Sequence, residues 1–298
     1  MKVYYWRPIL SRSPDFVQMH TKYLINTSNI FTKNFGDEIG KFVLSSVIGS
    51  ENFYWSSPSR AQLFPIGSVA ENILSAKSTI TANLWGIGFR SSDFNMNSVQ
   101  REYNVIALRG SLSVENLKIS GNNNVLGDPA LLISKFYKSN YTEQKEAIDF
   151  LLIQHFQLMQ RLPKNFLIHD SNKLTFKIMF VHQSLSTIID SIISSKIVFS
   201  SALHPLIVAD AYGIPGVRIS SSEDKIDSFK FKDYLSVYPC KTNWPTITLN
   251  EILNRDFDIK KIEDKSREHL IKIKQSIPLI QSKLLDSLIS WYSLNKDS

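Results

Sequence analysis

Apolar residues in this chain fall into two rhythms. Short unbroken runs predict buried strands, and apolar positions three and four apart predict helices. In the first half the runs lie at residues 2–6, 53–55, 62–66, 79–89 and 103–108, the last reading YNVIAL. Helical spacing runs through Ile39, Phe42, Val43, Val47 and Ile48, and a helix is expected to follow Arg109 as far as about residue 119. In the second half, residues 148–156 (IDFLLIQHF) fit a helix or a strand, and the shortness of the run favours a strand. Further strands are expected at 166–170 and 174–180, and a helix through Leu185, Ile188, Ile189 and Ile192.

Residues 196–219, KIVFSSALHPLIVADAYGIPGVRI, form the most legible unit. They read as a strand, a polar turn at Ser200-Ser201, an apolar helix beginning near His204 and ending at Tyr212-Gly213, and a second strand after Pro215. Residues 229–238 (FKFKDYLSVY) are expected to form a short helix near the cleft. The tail, residues 259–294, is helical through Ile262, Leu270, Ile273, Ile277, Ile280, Leu284 and Leu288, with an interruption at Pro278.

Strands alternating with helices predict α/β architecture with parallel sheets. The polar segment at 141–146 is the expected linker, dividing the chain into residues 1–140 and 141–298. Ligands of such sheets bind outside the carboxyl ends of the strands, where helix N-termini present free N–H groups. The candidates are therefore the polar residues at those ends. Arg109-Gly110-Ser111 follows the strand at 103–108 and combines a guanidinium fork with helix N-terminal amides, a receptor for carboxylate or phosphate, with a surface salt bridge as the competing account. Gly67-Ser68 follows another strand, where glycine lets a backbone approach a ligand. His204, Ser200 and Ser201 follow the strand at 196–200, and His155 and His182 end two others. Asn34 and Asp37 stand before the first helix, where either would serve as a cap.

Composition narrows the function. With 43% hydrophobic and 20% charged residues the chain is globular rather than disordered. The net charge of +7 favours anionic partners, but the basic residues are scattered and carry no nucleic-acid motif, so no nucleic-acid partner is expected; a solvated basic surface is the commonest account of such a charge. One cysteine, Cys240, excludes an intrachain disulfide and fits a reducing compartment. Without a secretory signal or a membrane-length apolar run, a cytoplasmic setting is expected; Lys260, Lys261, Lys265, Lys272 and Lys274 offer a peripheral contact with an anionic membrane, or simply a solvated face. The six histidines make no HExxH, HxH or Cys/His pattern, so no metal is expected, and the missing GxSxG argues against an α/β-hydrolase.

An ordered set of segments resembles the polysaccharide pyruvyl transferase family: NFGDEIGKF from Asn34, PIGSV from Pro65, NLWGIGF from Asn83, VIALRGSLS from Val105, LGDPALL from Leu126, SSALHPLIVADAYGIPGV from Ser200 and FKDYLSV from Phe231. Two departures stand out. Pro205 replaces the family's glycine after Leu203-His204, and Gln154-His155-Phe156 keeps only the histidine of Pro-His-Tyr. The resemblance implies two Rossmann-like domains facing a cleft in a GT-B-like arrangement. It implies an enzyme transferring pyruvate from phosphoenolpyruvate, as donor substrate and without a cofactor, to two hydroxyls of a sugar in a surface polysaccharide or its lipid-linked precursor. His204 is then the acid/base group, Arg109 the anion clamp with Gly110 and Ser111, Asp37 the base for the acceptor, and His155 a donor-site residue. The rival readings are a GT-B glycosyltransferase using a nucleotide sugar and a non-catalytic sugar-binding assembly protein.

Overall fold

A computed structural model describes residues 1–5, 34–120, 124–139, 148–155, 175–220, 228–254 and 257–296. The strand expected at 166–170, the linker at 141–146, and His20 and His169 lie outside the described residues. The described chain forms two parallel five-stranded sheets with helices, an α/β fold. The first contains β1 (Lys2–Val3), β2 (Tyr54–Trp55), β3 (Leu63–Phe64), β4 (Ala82–Ile87) and β5 (Tyr103–Leu108), in the order β2-β1-β3-β4-β5. The second contains β6 (Ile148–Gln154), β7 (Phe176–Phe180), β8 (Ser195–Ser200), β9 (Gly216–Ser220) and β10 (Thr246–Thr248), in the order β10-β9-β8-β6-β7.

Both orders reverse once, between β1 and β3 in the first sheet and between β6 and β8 in the second. At such a switch the flanking connections leave in opposite directions and open a crevice at the carboxyl edge. The residues after β3 are Pro65-Ile66-Gly67-Ser68; those after β6 and β8 begin with His155 and Ser201. The register Ile153 to Ser200 and Gln154 to Phe180 brings the ends of β8, β6 and β7 side by side.

Local chemistry accounts for the element boundaries. The first described helix runs Phe35–Ile48, earlier than the apolar period alone indicates, because Asn34 caps it by accepting the Gly36 amide. The helix after Arg109 is short, Ser111–Asn116. The tail splits into helices Ile259–Ile273 and Ile277–Asn295, with Pro278 in the first turn of the second, where its missing N–H breaks no helical bond. Residues 148–154 are a strand. Strand β10 has no signal in the apolar pattern, because its three residues are too short to show a period.

Each sheet buries a cluster of its own, around Phe64, Leu84 and Leu108 in the first half and around Ile197, Phe199 and Val217 in the second, and a further cluster is common to both halves. Phe35, Ile39, Trp85 and Ala130 from the first half form one buried cluster with Ile153, Ile188, Leu206 and Tyr234 from the second. The C-terminal helix belongs to that cluster through Ile280, Leu284 and Leu288, and it crosses back to the first half: Trp85 Nε1 donates to the Leu284 carbonyl at 3.1 Å and Gln281 Nε2 to the Leu131 carbonyl at 2.6 Å. The first sheet draws its strands from residues 2–108 and the second from residues 148–248, and the last helix fastens the halves together. Among the described residues, no helix is long and apolar enough to cross a membrane.

Candidate active site

The halves meet at the carboxyl edges of their strands. The Phe35 amide donates to the carbonyl of Val181, just beyond β7, at 2.7 Å, so the first turn of helix Phe35–Ile48 is seated on the second sheet. His204 rises to meet it from helix Leu203–Tyr212, which follows β8. The approach is close enough that a Cβ at Gly36 would overlap the His204 ring around Nδ1. Glycine at position 36 is therefore a steric requirement of the histidine's position. Pro205 sits inside this helix without disrupting it, because early positions of a helix need no amide.

Asp128 faces His204 from the other side. It caps the short turn Pro129–Leu132 by accepting the Ala130 amide with Oδ1 at 2.9 Å. Its other oxygen, Oδ2, lies 3.7 Å from His204 Nε2, beyond hydrogen-bonding distance, and neither atom has a hydrogen-bond partner among the described residues. The carboxyl group is fully buried and the imidazole side chain is 19% exposed. Burial raises Asp128 to about 7, against the lowering effects of the Ala130 amide and Arg109 and with a smaller raising effect from the Asp233 charge. Burial lowers His204 to about 3, reinforced by the charges of Arg109, Lys230 and His155. Near neutral pH the pair is therefore not a salt bridge: the imidazole is neutral and the carboxyl group is partly protonated.

Around this pair the expected residues take distinct places. Asp37 is buried, and a Cβ on Gly67 would stand 3.9 Å from its Oδ1, so the Gly67-Ser68 turn faces the Asp37 carboxylate. Asn34 is the cap of helix Phe35–Ile48. The His155 amide donates to Ser201 Oγ at 2.9 Å, joining the ends of β6 and β8 across the switch point. Ser200 is fully buried, and its hydroxyl lies 3.0 Å from the Ile153 and Ala202 carbonyls while accepting the Ala202 amide. It fixes the turn that launches the His204 helix. His182 stacks on Phe180 with ring centroids 5.5 Å apart, and burial lowers its pKa.

Arg109 holds an anion that comes from the chain itself, the carboxylate of Asp233, together with Ser113, whereas Gly110 and Ser111 meet the same stretch at the Asp233 carbonyl and Ser236. Arg109 is 1% exposed. Its Nε donates to Asp233 Oδ2 at 2.9 Å, Nη1 to Ser68 Oγ at 2.6 Å and Nη2 to the Phe89 carbonyl at 2.6 Å. Asp233 also accepts the Ser113 amide at 2.9 Å and the Ser113 hydroxyl at 2.6 Å, while the Ser111 amide donates to Ser236 Oγ at 2.8 Å. A Cβ at Gly110 would overlap the Asp233 carbonyl oxygen, so the two backbones touch. The receptor is thus closed by helix Ser228–Leu235 of the second half.

That helix is itself anchored. Asp210, near the far end of the His204 helix, accepts from Tyr234 Oη and Trp244 Nε1, each at 3.1 Å, and lies 3.3 Å from His269 Nε2. His269 is thereby a structural member of the second half. No local sequence signal marks Asp128 or Asp233 as functional, although they stand inside the segments LGDPALL and FKDYLSV. A carboxylate at an interface is satisfied by partners far away in sequence, which no local pattern reveals.

Fold and site together define a two-sheet α/β protein whose polar residues converge from the switch-point edges of both sheets. The chain belongs to the polysaccharide pyruvyl transferase family, whose model matches residues 8–223. Comparisons with curated proteins and with solved structures returned no match. The family match ends just beyond β9, so Asp233 and the helix that fastens the halves lie outside it.

Proposed function

We propose that the chain transfers the pyruvyl group of phosphoenolpyruvate to two hydroxyls of one sugar unit, forming a ketal in a surface polysaccharide or its precursor, in a cleft between GT-B-like halves. The observation that carries this reading is the seating of His204 from the second half against Gly36 of the first, beside Asp37 and the Gly67-Ser68 turn. This supplies the two functions that the reaction needs on facing walls. Protonation of the methylene carbon makes C2 electrophilic, a sugar hydroxyl adds there, phosphate leaves and the second hydroxyl closes the ketal. Of the two hydroxyl protons lost, one is balanced by the new methyl hydrogen and the other leaves with phosphate. His204 delivers the proton to carbon, and Asp37 orients and deprotonates the acceptor hydroxyl. Lys230 and His155, whose charges reach His204, receive the anionic donor. Arg109 acts through Asp233 and Ser68, holding the walls in place.

The test is incubation with phosphoenolpyruvate and a panel of galactosides, glucosides and mannosides, free and lipid-linked, read by mass and by phosphate release. The expected result is an acceptor heavier by one pyruvyl ketal, with stoichiometric phosphate, and no product from His204→Ala that remains folded. Transfer by His204→Ala at the native rate would remove His204 from the chemistry. Heat protection by a nucleotide and none by phosphoenolpyruvate would sink the donor assignment.

A further inference from the structure

We infer that Asp128 is the positioning residue of His204: its buried Oδ2 and the imidazole Nε2 face each other at 3.7 Å, hold one proton between them, and turn the ring so that Nδ1 carries the proton used on the substrate. The inference rests on the functional reading above for the identity of that substrate, but not for the shared proton. Two orphaned polar atoms in one buried pocket are costly unless each is the other's partner, and here no third group of the described residues bonds to either. A small closure of the gap, on filling of the site, makes a hydrogen bond.

The chemistry balances within the pair. With the proton on Asp128 Oδ2 and directed at Nε2, the neutral imidazole carries its own proton on Nδ1, the atom beside Gly36. When Nδ1 gives that proton to carbon, Nε2 takes the one from Asp128. The imidazole stays neutral, having exchanged tautomers, and Asp128 becomes a carboxylate. A hydroxyl proton released during ketal closure returns along the reverse path. The charged and titratable groups facing the pair are Arg109, Asp233 and Tyr238 on the Asp128 side, and Arg109, Lys230 and His155 around the ring. Asp128 also has a plain structural task as a cap, so the test must separate the two.

Asp128→Asn does so, because the amide oxygen keeps the cap to Ala130 while the side chain has no acidic proton to give. Infrared difference titration reads the pair without any acceptor. The native protein should gain a protonated-carboxyl band as pH falls through about 7, and Asp128→Asn should lack it. With His204→Gln the band should persist with a shifted midpoint. Absence of the band from the native protein, or its survival in Asp128→Asn, overturns the inference. Where the native protein transfers pyruvate, Asp128→Asn should lower kcat about 100-fold, leave KM for phosphoenolpyruvate within about twofold and flatten the pH–rate profile. An unchanged profile with kcat intact overturns the relay. A native protein that shows the band and transfers nothing retains the shared proton and loses the functional reading.

Discussion

The carboxylate of Asp233 takes the guanidinium of Arg109 at 2.9 Å across the boundary between the two halves, with both side chains almost fully buried. Two of the carboxylate's other donors, the Ser113 amide and hydroxyl, also come from the first half, so this single side chain is held entirely from the opposite side. The clamp places the second half's wall of the site relative to the first.

Breaking a buried pair by removing one partner leaves an uncompensated charge and costs about 3–5 kcal/mol. Arg109→Ala and Asp233→Ala should each lower stability by about that amount in urea unfolding. The double variant should lose much less than the sum, because neither leaves the other's charge stranded. Additive losses would show that the two residues act separately.

Much of this fold was legible in the chain. Tyr103–Leu108, Ile148–Gln154 and Gly216–Ser220 are strands where apolar runs place them, and Pro278 divides the tail. These features depend on neighbours within a few residues, which a sequence displays. Arg109 was recognisable as an anion receptor for the same local reason. Its occupant was not, since Asp233 lies 124 residues away and only the packing of the two halves joins them. Asp128 was hidden in the same way: its cap to Ala130 is local, but its role at His204 exists only after folding. The return of the last helix to Trp85, 199 residues from Leu284, was beyond any periodicity.

Two glycine substitutions should separate scaffold from site. Gly36→Ala puts a methyl group into the His204 ring, and that ring can swing because its side chain is 19% exposed. Stability should stay near native, helped by alanine's helix preference of about 1 kcal/mol, while transfer falls steeply. Gly110→Ala meets the Asp233 carbonyl, which is backbone and cannot swing. It should destabilise by about as much as Arg109→Ala. Chemical unfolding beside the transfer assay checks both, and equal stability losses in the two would contradict the assignment.

The shared core makes a further demand. Leu284 is fully buried in a cluster containing side chains from both halves, so Leu284→Ala should cost about 2–5 kcal/mol. It should also leave a single cooperative transition, because the tail helix ties the first half to the second. Urea melts followed by tryptophan fluorescence and by far-ultraviolet circular dichroism should coincide. Two separated transitions would mean that the halves unfold independently.

The Asp128–His204 pair makes the pH dependence of stability unusual. Asp128 titrates near 3.8 when unfolded and at about 7 when folded, so alone it favours the folded state at low pH, and that contribution is lost as pH rises through this window. His204 moves from 6.5 to about 3, so alone it disfavours the folded state at low pH, and stability recovers as pH rises from 3 to 6.5. Between roughly pH 4 and 6.5 the unfolded chain holds the pair's proton on histidine and the folded chain holds it on aspartate. The proton counts match, and the two slopes cancel. Each single variant should uncover the other's slope, at about 1.4 kcal/mol per pH unit. Asp128→Asn should become more stable as pH rises across this range, His204→Gln should become less stable, and the native protein should owe no slope to the pair. Urea unfolding at half-unit steps measures all three, and slopes of the same sign in the two variants would show that the proton is not shared between these residues.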